Sequence, residues 1–214
     1  MPSRQEIVHS INEGIRKAEC DYRKGTTWML HQGPEYFMTV NIYQSLLRLT
    51  NTSSLTLEDE PSRLTEWHRN RRRRLPGPKP FKARLDGRCD LALFCLNAYD
   101  KPRAVIEIKR NAQKCTDDLE RVKRLLEEEH LGFCVLASCL FERVENNKVV
   151  EAQDKIRKRL RDLRRKINNA LVRGNMSLTL SRSRIEKVLF EMSDGDEEWV
   201  WRPICCVISR KKTS

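Results

Sequence analysis

Apolar residues recur along the chain with two different periods. Ile7, Val8, Ile11, Ile15 and Ala18 lie at helical spacing and predict an amphipathic helix over 5–19, ended by the polar stretch 20–27. Gly33-Pro34 opens a second helix from Glu35 to Leu49, with Pro34 suited to a first turn and Phe37, Val40, Ile42, Leu46 and Leu47 on its apolar side. Leu55 and Leu57 alternate with polar residues and predict a short strand. Residues 88–96 and 103–109 are apolar runs of strand length around a turn at 97–102, which predicts a hairpin. A helix follows over 117–130, with Leu119, Val122, Leu125 and Leu126 inward and Asp117 and Asp118 at its positive end. A strand is expected over 132–141. Ile156, Leu160, Leu163, Ile167 and Ala170 mark a long helix over 151–173, stopped by Gly174-Asn175. A short helix over 184–192 and a final strand over 199–208 complete the pattern. The order helix, strand, strand, strand, helix, strand predicts an α/β fold with a central mixed sheet flanked by helices. The expected organisation is an N-terminal helical extension (1–32), a core (33–141) and a helix and strand elaboration packed on it (142–214).

Composition narrows the classes. At 214 residues, 39% hydrophobic and 34% charged, the chain suits one elaborated domain rather than a disordered or collagen-like one. Its longest uncharged apolar run is about ten residues, well short of a membrane span. The opening Met1-Pro2-Ser3-Arg4-Gln5-Glu6 has no apolar segment of the secretory kind. Eight cysteines without a CxxC pair, several of them in apolar runs, read as buried free thiols rather than zinc ligands or disulfides. The expected setting is a reducing cytoplasm.

The net charge of +12 favours phosphate-bearing partners. Arg71, Arg72, Arg73 and Arg74 precede a stretch with three prolines and a glycine around Lys79, with Lys82 just beyond it. Residues 61–84 therefore read as an exposed basic loop, either a clamp on a nucleic-acid backbone or a solvated charge run. The basic face of 151–173 fits the same two readings. Trp199 and Trp201 alternate along a strand and suit one-sided packing; His31 and His68 have no assignable partner.

The hairpin carries the chemistry. Pairing Leu96 with Arg103 sets Asp90 opposite Lys109 and Glu107 opposite Ala92. Opposed and second-neighbour residues share a face, so Asp90, Glu107 and Lys109 converge. Their neighbours Leu91, Leu93, Ile106 and Ile108 are apolar, and charges in such runs need a partner or a metal. Two close carboxylates call for a cation. Mg²⁺, with Mn²⁺ as a substitute, suits them, and the Ile108 carbonyl offers a further oxygen. Asp86 competes with Asp90 but falls beyond the strand end in this register. The bland reading is a cross-strand ion-pair cluster.

Asp90, followed after sixteen residues by Glu107-Ile108-Lys109, resembles the PD-(D/E)XK nuclease superfamily. The element order around it is similar to that family's restriction-endonuclease-like αβββαβ core. Cys89 stands where the motif's name has proline. The resemblance implies a metal-dependent endonuclease in which Asp90 and Glu107 bind the metal, Lys109 is catalytic and Glu35 is an auxiliary acid. The substrate it points to is double-stranded DNA, and homo-oligomerisation is compatible with cutting both strands. Arg110 and Lys114 lie just after the site and read either as further DNA contacts or as solvent-facing charges. The rivals are a nuclease of RNA or single strands with the same site, a catalytically silent basic binding or oligomerisation module, and a nuclease gated by an activator.

Overall fold

The first helix, α1 (Arg4–Thr26), continues past the predicted stop. Lys17 pairs with Asp21 one turn on, and the Tyr22 ring packs against Phe37 with centroids 5.4 Å apart. The structure, a computed structural model, describes residues 2–26, 28–50, 55–58, 90–95, 98–116, 119–128, 131–171, 175–190 and 196–211. The basic loop 61–84 with Arg71 to Arg74, Lys79 and Lys82 lies outside these residues, as do Asp86 and Cys89.

A seven-stranded sheet forms the middle layer. β1 (Leu55–Glu58), β2 (Leu91–Cys95) and β3 (Ala98–Lys109) make an antiparallel meander. The chain then passes through α3 (Leu119–Glu128) into β4 (Phe133–Arg143), which is parallel to β3. After α4 (Val149–Leu171) come β5 (Met176–Leu180), β6 (Glu186–Phe190) and β7 (Glu197–Arg210). β7 pairs antiparallel with β4 along one edge and carries β5 and β6 on the other.

Period-two alternation divides the core in two. Leu91, Leu93, Ile106, Val135 and Val207 point to one face, where α1 and α2 (Glu35–Thr50) cover them. Ala92, Val105, Leu136 and Cys206 point to the other face, under α3 and α4. The molecule is therefore an α/β sandwich with a mixed open sheet. α1 and β7 are integral to it: α1 packs along α2 and touches β7, and β7 pairs with β4 over ten positions. Among the described residues no helix is long and apolar enough to cross a membrane. Cys20, Cys115, Cys134, Cys139, Cys205 and Cys206 are free thiols, and all but Cys20 are buried.

Three expectations change. The segment expected as a helix over 184–192 contains β6, because Glu186–Phe190 pairs with Glu197–Trp201 of β7. β5 was not expected at all, although Met176, Leu178 and Leu180 alternate with polar residues. The hairpin register is shifted by two: Ala92 faces Val105 and Leu91 faces Ile106. Irregular pairing at Leu93, Phe94 and Cys95 takes up the difference.

Candidate functional site

A shift of two residues leaves every side chain on its predicted face, because the strand period is two. Carrying the observed register one step beyond Leu91 sets Asp90 level with Glu107 rather than Lys109. Asp90 sits just off the start of β2, and its Oδ2 accepts the Ile108 N–H at 2.6 Å. The aspartate thus takes the place of a ladder carbonyl and ties the Asp half of the motif to the Glu-Ile-Lys half. It is the Ile108 amide, not its carbonyl, that enters this contact.

Burial pushes the Asp90 carboxyl above its ordinary value. The Ile108 amide and the charge of Lys109 pull it back, while the charge of Glu35 raises it further. Glu35 stands at the first position of α2, after Pro34. Its Oε2 accepts the Arg110 N–H at 2.8 Å, and Arg110 Nη1 donates to the Gly33 carbonyl at 3.1 Å. These bonds strap the start of α2 to the end of β3. Two carboxylates from separate elements therefore lie within electrostatic reach of one another.

Glu107 is 1% exposed and forms an ion pair with Arg121 of α3, itself 8% exposed. A carboxylate that stays ionised at this depth is costly unless a cation pairs with it. Arg121 escaped the sequence reading, although it stands four residues before the inward Leu125 and so shares that helix face. Among the described residues no group of three or more His, Cys, Asp or Glu side chains is arranged to hold a metal ion. Asp90 and Glu35 are electrostatically coupled carboxylates of the hard-oxygen type that Mg²⁺ takes as ligands, while the charge of Glu107 is matched by Arg121.

No protein-family model, curated protein or solved structure matches this chain. The functional reading therefore rests on the site itself.

Beside Glu35 opens a cavity of about 560 Å³ at the carboxyl ends of β3 and β4. Arg110 and Lys114 line it after β3, Phe141 at the end of β4, Arg159 from α4, Trp199 from β7, and His31 from a short turn (Leu30–Gln32) before α2. The structure thus brings the predicted Arg110 and Lys114 together with Glu35. It also adds Arg159, Trp199 and His31, which the sequence offered only as a basic helix face, a packing residue and an unassigned histidine. Open α/β sheets hold ligands outside the carboxyl ends of their strands, and this cavity occupies that position.

Proposed function

We propose that this protein is a metal-dependent nuclease that hydrolyses phosphodiester bonds of DNA. One observation carries the reading: the Asp90–Ile108 hydrogen bond fastens Asp90 to the Glu107-Ile108-Lys109 stretch at one end of β2 and β3, and the charges of Lys109 and Glu35 act on Asp90. The succession of α2, the β1–β2–β3 meander, α3 and parallel β4 supports it, since that is the order of a restriction-endonuclease-like core.

In this reading Asp90 and Glu35 would hold Mg²⁺, or Mn²⁺ in its place, with Glu107 as the third acid. A cation held there would supply Lewis acidity to the phosphodiester and acidify an attacking water. Asp90, braced on the Ile108 amide, keeps its oxygens fixed before substrate arrives. Lys109 stabilises the negative charge that develops on the phosphoryl oxygens. Arg110 and Lys114, exposed at the end of β3, contact the backbone beside the scissile bond.

The test is cleavage of plasmid and linear DNA with Mg²⁺, Mn²⁺ or EDTA. Wild type should nick or fragment DNA only with metal. Lys109→Ala should lose at least about 100-fold in rate while keeping the native circular-dichroism spectrum. RNA and single-stranded DNA run beside the duplex decide strandedness. The Glu107–Arg121 ion pair favours a second reading, a catalytically silent nucleic-acid-binding module in which Glu107 is structural. That reading gains if wild type binds DNA in a salt-sensitive way and never cuts it.

A further inference from the structure

The cavity beside Glu35 combines two features that are rarely adjacent by accident. One wall is aromatic: the His31 ring lies 4.8 Å from Phe141 and 5.6 Å from Trp199, centroid to centroid. The rim is cationic, with Arg110, Lys114 and Arg159 against one lining carboxylate among the described residues, Glu35. The arginines are fixed in place. Arg159 Nη1 donates to the Phe141 carbonyl at 2.8 Å and to Glu142 Oε2 at 3.1 Å, and Arg110 is tied to Gly33. Each guanidinium has five N–H donors, so these bonds leave others for a ligand. His31 Nδ1 is enclosed and makes no hydrogen bond among the described residues. Burial, then the charges of Arg110 and Arg159, hold that imidazole below its ordinary pKa and therefore neutral at pH 7.

We propose that this cavity binds a single nucleotide, its base stacked on the His31–Trp199 wall and its phosphate held by Arg110, Lys114 and Arg159. A volume of about 560 Å³ lies within the range of pockets that enclose one small ligand. Aromatic faces accept any base, and pinned guanidiniums suit phosphate oxygens. The same chemistry serves a free nucleoside monophosphate and an unpaired nucleotide within a strand. Its role beside the phosphodiester chemistry rests on the nuclease reading, through Glu35; its ligand chemistry does not.

Calorimetric titration in EDTA, where no cleavage occurs, tests the cavity alone. The probes are dAMP, ribose 5-phosphate, and a six-nucleotide single strand. dAMP or the hexamer should bind at least tenfold more tightly than ribose 5-phosphate. Trp199→Ala should weaken that binding at least tenfold and leave ribose 5-phosphate unchanged. Lys114→Glu, at an exposed position, should weaken all three, and it carries the test if Trp199→Ala fails to fold. Binding of dAMP identifies a free-nucleotide site, and binding of the hexamer alone identifies a strand-borne nucleotide. Equal affinity for dAMP, hexamer and ribose 5-phosphate, or binding indifferent to both substitutions, overturns the proposal. DNA cleavage without nucleotide binding defeats this inference and spares the nuclease; nucleotide binding without cleavage does the reverse.

Discussion

Glu19 lies four residues after Ile15, on the apolar stripe of α1, and is 1% exposed. Its Oε2 accepts the Leu30 N–H at 3.0 Å, next to His31 of the cavity. Burial raises its pKa from the ordinary 4.5 to about 7, against the pull of the Leu30 amide and Arg23. A carboxyl with a raised folded-state pKa favours folding in its neutral form. Its contribution is fully present below pH 4.5 and is lost as pH rises through 7. Across that window wild type should lose roughly 3 kcal/mol from this group. Glu19→Gln keeps an acceptor for Leu30 and cannot ionise. Urea unfolding should find variant and wild type close at pH 5 and the variant more stable at pH 8. A difference that does not change with pH would show that Glu19 ionises freely in the fold.

Helices α1 and α2 meet at Gly14, and the glycine is there for space. A Cβ at this position would stand 2.5 Å from Ile42 Cα and 2.9 Å from Ile42 N, both backbone atoms that cannot rotate aside. On an exposed helix, Gly→Ala stabilises by up to ~1 kcal/mol. Here the helices must separate, and overpacking of about 1–3 kcal/mol should outweigh that gain. Denaturant titration of Gly14→Ala should show a lower midpoint with an unchanged slope; a raised midpoint would mean that the helices do not approach so closely. Local periodicity made this pair of helices legible, as it did α3, α4 and the faces of the hairpin. Asp90, Glu107, Lys109 and Glu35 were legible for the same reason: parity along a strand survives a two-residue slip, and a helix start is marked by Pro34. What local pattern does not encode is partnership between distant elements. Glu186–Phe190 is strand only because β7 offers it an edge, and Arg121 reaches Glu107 only because α3 crosses that face of the sheet. The cavity draws on β3, β4, β7, α2 and α4 together, so no single stretch announces it.

Over the whole molecule, the charge of +12 is unevenly committed. On α4, Arg157 pairs with Asp154, Arg165 with Asp162, and Lys155 and Arg159 with Glu142. Lys158, Arg161, Arg164 and Lys166 have no carboxylate partner among the described residues, and they are exposed around the buried stripe of Ile156, Leu163 and Ile167. Arg159 on the same helix lines the cavity, so α4 extends the cationic rim outward from the candidate site. Charges left unmatched in this way attract a polyanion through release of its counterions, at about 0.9 in the log–log salt slope per duplex phosphate neutralised. Anisotropy of a labelled duplex in EDTA between 50 and 200 mM salt reads that slope directly. Replacing Arg161 and Arg164 with alanine should reduce its magnitude by up to ~2 and weaken unrelated duplex sequences equally. An unchanged slope would place the outer face of α4 away from nucleic acid. The backbone contacts would then fall to Arg110 and Lys114 and to basic residues elsewhere in the chain.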